Sequence, residues 1–378
     1  MKKILICFLL QSILLIAYAQ KSAYLLVGTY TSGKSEGIYV YKFNAVTGKA
    51  EFVSVAKSVN PSYLTISPDG RYVFAANETS DSQDKSKGGN ISSFYFDKKS
   101  GQLNFINTVP SGGADPCYVT IDKSAKWVIT GNYTSGSLAV IPIAIDGRLG
   151  NPTQSIEHIG SGPNKNRQQS PHVHSTVLSK DNKFLFASDL GIDKVVIYSF
   201  NTSNGEIGPA TQNFAEAEKG SGPRHFEFHP NNKYAYLMEE LVGAVKVFSY
   251  DAKKGTLEPV QTISSIEKKF KASNFSADIH ISPDGKFLYC TNRGESNTIA
   301  LCSIDPSSGM LQFIKRYDTG GKIPRNFSID PSGQFLLVAN QQSDNIVVFK
   351  RNKDTGELTD TNIRIETGNP VCLKWIEE

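Results

Sequence analysis

One hairpin frame recurs along the sequence and restricts the fold more than any other feature. A short strand of alternating apolar residues runs into a turn of the Ser-Pro-Asp-Gly kind and returns as a second strand rich in aromatic and branched side chains. Copies lie at residues 61–78, 116–133, 173–190, 220–241, 276–293 and 324–341. Anchored at Pro68, Lys123, Lys180, Pro230, Pro283 and Pro331, the turns are about 48 to 57 residues apart, the period of a propeller blade. Two more β-rich runs follow each hairpin, such as 90–96 and 103–108 after the first and 345–350 and a run beyond Glu357 after the last. Four strands per unit, repeated radially, predict an all-β fold, a β-propeller with four-stranded blades.

The chain ends complete the count. Residues 369–376 read as a first strand with no second after it, and 24–29 as a second strand with no first before it. Joined, with 37–43 next to them, they make a seventh, composite blade that closes the ring and gives each sheet edge a neighbour. Val371, Leu373 and Trp375 are its expected buried set. A chain of 378 residues has room for two or three domains, but the repeat runs nearly end to end and predicts one, at 20–378.

Residues 1–19 stand apart. Lys2 and Lys3 precede an apolar run ending in Ala17-Tyr18-Ala19, which reads as a secretory signal peptide cleaved before Gln20. The expectation is a periplasmic or secreted protein, monomeric, with no membrane span once processed. Without that segment the net charge falls from +4 to about +2, which favours no nucleic-acid partner. Cys117, Cys290, Cys302 and Cys372 then remain, at spacings that match no zinc pattern. Cys290 falls opposite Ala300 rather than Cys302, so four buried free thiols are expected. Two polar insertions, 81–89 and 161–169, would project at one end of the channel. Both are candidates for substrate-covering loops, with a plain solvated loop the commoner reading for 81–89.

Aligned on their turns, the blades bring two positions to one mouth. At the start of the first strand stand Ser62, Cys117, His174, Arg224, Ala277, Arg325 and Val371. At the end of the second stand Asn77-Glu78, Asn132-Tyr133, Asp189-Leu190, Glu239-Glu240, Asn292-Arg293 and Asn340-Gln341. Asparagine at a strand end commonly just closes a turn, His229 falls on the turn side, and His280 reads as a satisfied core histidine. Arg224, Arg293 and Arg325 are harder to explain by packing: three arginines at one concavity need anions, from Glu78, Asp189, Glu239 and Glu240 or from a ligand. His172 and His174, at i and i+2, would share a face of an extended strand, a weak metal-pair signal without a third ligand.

The sequence resembles the seven-bladed propeller lactonase family, which includes bacterial 6-phosphogluconolactonases and fungal carboxymuconate-lactonising enzymes. The resemblance covers nearly all of the chain after residue 19. It rests on Val27-Gly28-Thr29-Tyr30-Thr31, Asn60-Pro61-Ser62-Tyr63, Gly113-Ala114-Asp115-Pro116-Cys117, Pro171-His172-Val173-His174-Ser175, Gly222-Pro223-Arg224-His225, Thr291-Asn292-Arg293 and Pro324-Arg325-Asn326-Phe327, in that order. It implies lactone hydrolysis, or the reverse cyclisation, without a metal or other cofactor, and an acid/base pair and anion-binding arginines at His174, Glu240, Arg224 and Arg293. His172, His225, Glu78, Arg325 and Asn340 are the expected substrate-binding neighbours. Glu239 departs from the asparagine expected there, and a second carboxylate would raise the pKa of Glu240 or compete for Arg224.

The chemistry fits these residue types. Opening a lactone needs an activated water, a stabilised oxyanion and a proton for the leaving alkoxide. Either Glu240 or His174 is a candidate base and the other the acid, with Arg224 and Arg293 on the oxyanion or an anionic group. Glu240→Gln is then expected to lower turnover with folding intact. The all-β repeat offers no strand-to-helix nucleophile elbow, which argues against a covalent serine route. Two alternatives remain open from sequence: a non-catalytic envelope propeller binding a sugar acid or a protein, and a calcium-dependent lactonase with Glu78, Asn132, Asp189 and Glu240 as an oxygen ring.

Overall fold

The computed structural model describes residues 22–81, 83, 88–267, 270, 272 and 274–377; the expected signal peptide lies outside them. Seven antiparallel sheets of four strands are arranged as a ring, and the one helical element among the described residues is a 3-10 turn, Gln341–Ser343. The inner strands are Pro61–Ile66, Pro116–Ile121, Val173–Leu178, Pro223–Phe228, Asn274–Ile281, Pro324–Ile329 and Pro370–Glu377. They open blades 1 to 7 in that order and pack side by side around the central channel. In blade 7 the C-terminal strand pairs with Ser22–Thr29, so the two ends of the chain close the ring as one sheet.

Packing between blades supplies the core. Phe287, Tyr289 and Leu301 of blade 5, for example, meet Phe327, Leu336 and Val338 of blade 6 in one buried cluster. Gly28 shows how close blades 7 and 1 come: a Cβ there would lie 2.5 Å from the Pro61 carbonyl oxygen. In blade 7, Val371 and Leu373 are buried as the alternation predicts, but Cys372 and Ile376 on the opposite face are too, while Trp375 is only half-buried. An inner strand faces the ring on both sides, so strict alternation understates what it buries.

In every blade the inner strand carries one extra residue near its start. The register slips between Pro61 and Tyr63, Pro116 and Tyr118, Val173 and Ser175, Pro223 and Phe226, Ser276 and Ile279, Pro324 and Asn326, and Pro370 and Cys372. A β-bulge of this kind turns a side chain away from the regular pleat. The displaced residues include Ser62, Cys117, His174, Arg224, Ala277, Arg325 and Val371, the same seven that the repeat register brings to the mouth.

Candidate functional site at the channel mouth

The second strand of each blade supplies the other half of the mouth, and there two neighbouring positions do different work. The first is structural. The side-chain amides of Asn77, Asn132, Asn292 and Asn340 each donate to the carbonyl of the loop entering their own blade: Val59 at 2.6 Å, Ser111 at 3.3 Å, Ser265 at 3.2 Å and Thr319 at 2.9 Å. Asn340 is fully buried in that role, with Asn345 as its second partner, so it is not among the mouth residues as expected. Asp189 fills the same position in blade 3, where it takes up His158 at 2.6 Å and the backbone N–H groups of His172 and Gly191. The proposed oxygen ring of Glu78, Asn132, Asp189 and Glu240 therefore does not form, because two of its members are committed to their blades. Among the described residues no group of three or more His, Cys, Asp or Glu side chains is placed to hold a metal ion.

The residue after it enters the mouth. Tyr30, Glu78, Tyr133, Leu190, Glu240 and Gln341 each donate their backbone N–H to the residue just before an inner strand or its bulge: Asn369, Asn60, Asp115, His172, Gly222 and Ile323. Asn369, Asn60, Asp115, Gly222 and Ile323 have positive φ, and a proline follows each. Tyr30 is thus the blade 7 counterpart of Glu240, a position the repeat register misses because that blade is split between the chain ends.

Glu240 is the centre of the charges gathered there. Its carboxylate lies 2.8 Å from Arg167 Nη2, 2.9 Å from Arg224 Nε and 3.0 Å from Arg293 Nη2. Burial alone would raise its pKa, but Arg293, Arg224 and Arg167 outweigh that and hold it at about 2. Glu239 neither raises Glu240 nor takes Arg224. It occupies the structural position, fully buried on the far side, where its oxygens close no hydrogen bond of good geometry and burial pushes its own pKa up. Arg325 extends the cluster: Nη2 donates to the Tyr30 hydroxyl at 2.8 Å and lies 3.9 Å from Glu78. Four guanidiniums face two carboxylates, which leaves a positive excess. Arg224 Nη2 and Arg293 Nη1 have no protein acceptor among the described residues.

Beside the charges lies a cluster of rings. His172 stacks on Tyr133 at 4.4 Å and donates Nδ1–H to its carbonyl, while His174 meets the same tyrosine edge-on at 5.5 Å. Tyr133 thus packs against both imidazoles, and the bulge at His174 removes the i, i+2 alignment that a metal pair needs. His174 Nδ1 is 3.7 Å from Cys117 Sγ, and burial followed by the nearby Arg224, His225 and Arg325 keeps the imidazole neutral. His225 lies 5.4 Å from His174, centroid to centroid, with Tyr63 and Tyr118 on its other sides. Beyond the rings, Asp278 joins His225 at 2.6 Å to His280 at 3.1 Å, and His280 reaches Glu227 at 2.7 Å. His280 is therefore no core histidine; its side chain is 27% exposed and ion-paired on both nitrogens.

Seven of the expected residues meet in this one region: His172, His174, Arg224, His225, Glu240, Arg293 and Arg325, with Glu78 beside Arg325. His229 stays on the turn side, bonded to the Gly285 carbonyl, as expected. Arg167, Tyr30, Asp278 and Glu227 are not among the expected site residues, and His280 is expected only as a core histidine. Arg167 comes from the 161–169 insertion, and its signal was one basic residue in a loop aimed at the mouth. Asp278 carried a stronger one, an acid on the bulge of blade 5 in the same frame as His225.

The family described as "Lactonase, 7-bladed beta-propeller" matches residues 24–375. A 6-phosphogluconolactonase of Bacillus subtilis (strain 168) is 36% identical over 93% of this chain and 98% of its own. The crystal structure of a putative 6-phosphogluconolactonase from Bacteroides fragilis NCTC 9343 superposes with a TM-score of 0.89 at 40% identity, covering 95% of this chain and 99% of that one. The Pseudomonas aeruginosa periplasmic gluconolactonase PpgL gives 0.89 at 38% identity, over 94% and 99%. The chain belongs to the seven-bladed β-propeller lactonase family.

Proposed function

We propose that this lactonase, of the 6-phosphogluconolactonase-like kind, hydrolyses a sugar-acid lactone at the channel mouth, without a metal, in the periplasm or outside the cell. The observation that carries the proposal is the positive excess at the mouth, where Arg167, Arg224, Arg293 and Arg325 face only Glu240 and Glu78. Water attacks the lactone carbonyl, and the oxygen that becomes negative takes the unspent N–H groups of Arg224 and Arg293. One such donor is typically worth roughly 3 kcal/mol in the transition state. Collapse breaks the ring C–O bond, and the alkoxide takes a proton. Glu240 stays ionised throughout and serves to hold three arginines in place; it is not the acid. The proton shuttle falls to the neutral imidazoles beside it.

Rates on D-glucono-1,5-lactone and its 6-phosphate, followed by pH-stat with the uncatalysed rate subtracted, test this. The positive excess predicts a lower KM for the phosphorylated lactone, and Arg224→Lys should raise KM because a point charge cannot replace a planar fork. Equal KM values in wild type and Arg224→Lys would remove the mouth from substrate binding.

A further inference from the structure

We propose that His225, oriented by Asp278, is the general base of the reaction, and that His280 and Glu227 complete a charge chain behind it. The assignment rests on the lactonase reading and names the group that activates the water. Three observations single out His225 over its neighbour His174.

The first is orientation. Asp278 Oδ1 lies 2.6 Å from His225 Nδ1, and Asp278 is held in place by the Asn326 amide and by the Phe327 N–H at 3.2 Å. A carboxylate accepts hydrogen bonds only, so Nδ1 carries the proton and Nε2 the lone pair. Among the described residues Nε2 has no protein partner, and the ring keeps 7% of its surface. His174 Nδ1 has only the Cys117 thiol beside it, a weak partner that also reaches the Val173 and His174 carbonyls, and no carboxylate there fixes the tautomer.

The second is charge. His280 is ion-paired on both nitrogens, to Asp278 at 3.1 Å and to Glu227 at 2.7 Å. Burial opposes its protonation, but Asp278 and Glu227 prevail and raise its pKa to about 10. With the imidazolium of His280 between two carboxylates, the chain carries one net negative charge at rest. A proton arriving on His225 neutralises it. The same proton on His174 would meet Arg224 and Arg325 with no carboxylate in contact.

The third is availability. The groups facing His225 are Arg224 on its own strand, His174 on blade 3, Asp278 and His280 on blade 5, and Tyr63 and Tyr118 on blades 1 and 2. Burial first, then Arg224, lowers its pKa to about 4 despite Asp278, so Nε2 is free over the whole neutral range.

The step balances without a co-reactant. Water gives one proton to His225 Nε2 as its oxygen bonds to the carbonyl carbon. The ring C–O bond breaks, the ring oxygen takes that proton back, and the new carboxylic acid ionises into solvent.

Three measurements on the full-length protein decide the matter, with D-glucono-1,5-lactone and its 6-phosphate as probes. Imidazole 15N spectra of the wild type at neutral pH should show His225 uncharged with the proton on Nδ1; an Nε2–H tautomer or a cation overturns the proposal whatever the activity. His225→Gln should lower kcat ~100-fold or more with little change in KM, and exogenous imidazole should restore part of the rate to His225→Ala. Asp278→Asn should reverse the tautomer and lower kcat likewise; if it fails to fold, the wild-type spectra still decide the orientation. A wild type active on either lactone with His225→Gln within threefold of it removes this assignment alone. A wild type inactive on both removes the lactonase reading and this assignment together.

Discussion

Three guanidiniums within 3.0 Å of one carboxylate make Glu240 a fixed negative charge wherever the protein is folded. Its folded pKa, about 2, lies below the ordinary carboxylate value. Its contribution to stability is therefore complete above that ordinary value and is lost as pH falls toward 2. Glu240→Gln leaves Arg224 and Arg293 buried without their anion, and breaking such a pair costs about 3 kcal/mol or more. The geometry thus argues against the expectation of intact folding: chemical denaturation at neutral pH should show the loss, and it should shrink near pH 2–3. Glu239 carries the opposite sign. Its raised pKa means that stability present below the ordinary carboxylate value is lost as pH rises through the folded one. Glu239→Asn restores the residue that four other blades use to tie down their entering loop, and should stabilise by about 1 kcal/mol at neutral pH. An unchanged melting temperature would show that Lys246 or Ser221 already satisfies the carboxylate. From sequence the two acids were adjacent letters at one mouth. What separates them is that one side chain points into the blade and the other into the channel, and an alignment on turns does not record that.

Blade-level features were the most legible, because a hairpin repeat with apolar alternation has few ways to bury its faces. Less visible was the bulge. One extra residue at the start of each inner strand aims Arg224, Arg325 and His174 at the mouth, yet nothing in the alternation of the flanking residues announces it. The composite blade gives an element-scale test. Truncation before Asn369 removes the strand that pairs with Ser22–Thr29 and buries Val371, Cys372, Leu373 and Ile376, each worth on the order of 1.5–3 kcal/mol. The truncated chain should fail to melt cooperatively; a melting temperature equal to the full chain's would contradict ring closure. The 161–169 loop gives another. Arg167 is 31% exposed and bridges Tyr133 to Glu240, so Arg167→Gln should raise KM with little change in melting temperature. An unchanged KM would leave the loop as a solvated insertion.

At the scale of the whole molecule, seven blades bring residues scattered from Tyr30 to Arg325 to one opening, which is why no single stretch of sequence carries the site. The repeat register located most of it. It missed Arg167 and the chain from Asp278 to Glu227, since those contacts cross between blades or come from a loop outside the repeat. Export is a separate expectation: mass spectrometry of the protein from the periplasmic or secreted fraction should begin at Gln20, and a soluble cytoplasmic pool beginning at Met1 would contradict it. The measurement closest to the central claim is the initial rate of hydrolysis of gluconolactone 6-phosphate by the purified chain, compared with and without chelator. The account predicts turnover well above the uncatalysed rate, unchanged by chelator and strongly reduced in Arg224→Lys. A rate equal to the uncatalysed one, or one that vanishes with chelator, would contradict it.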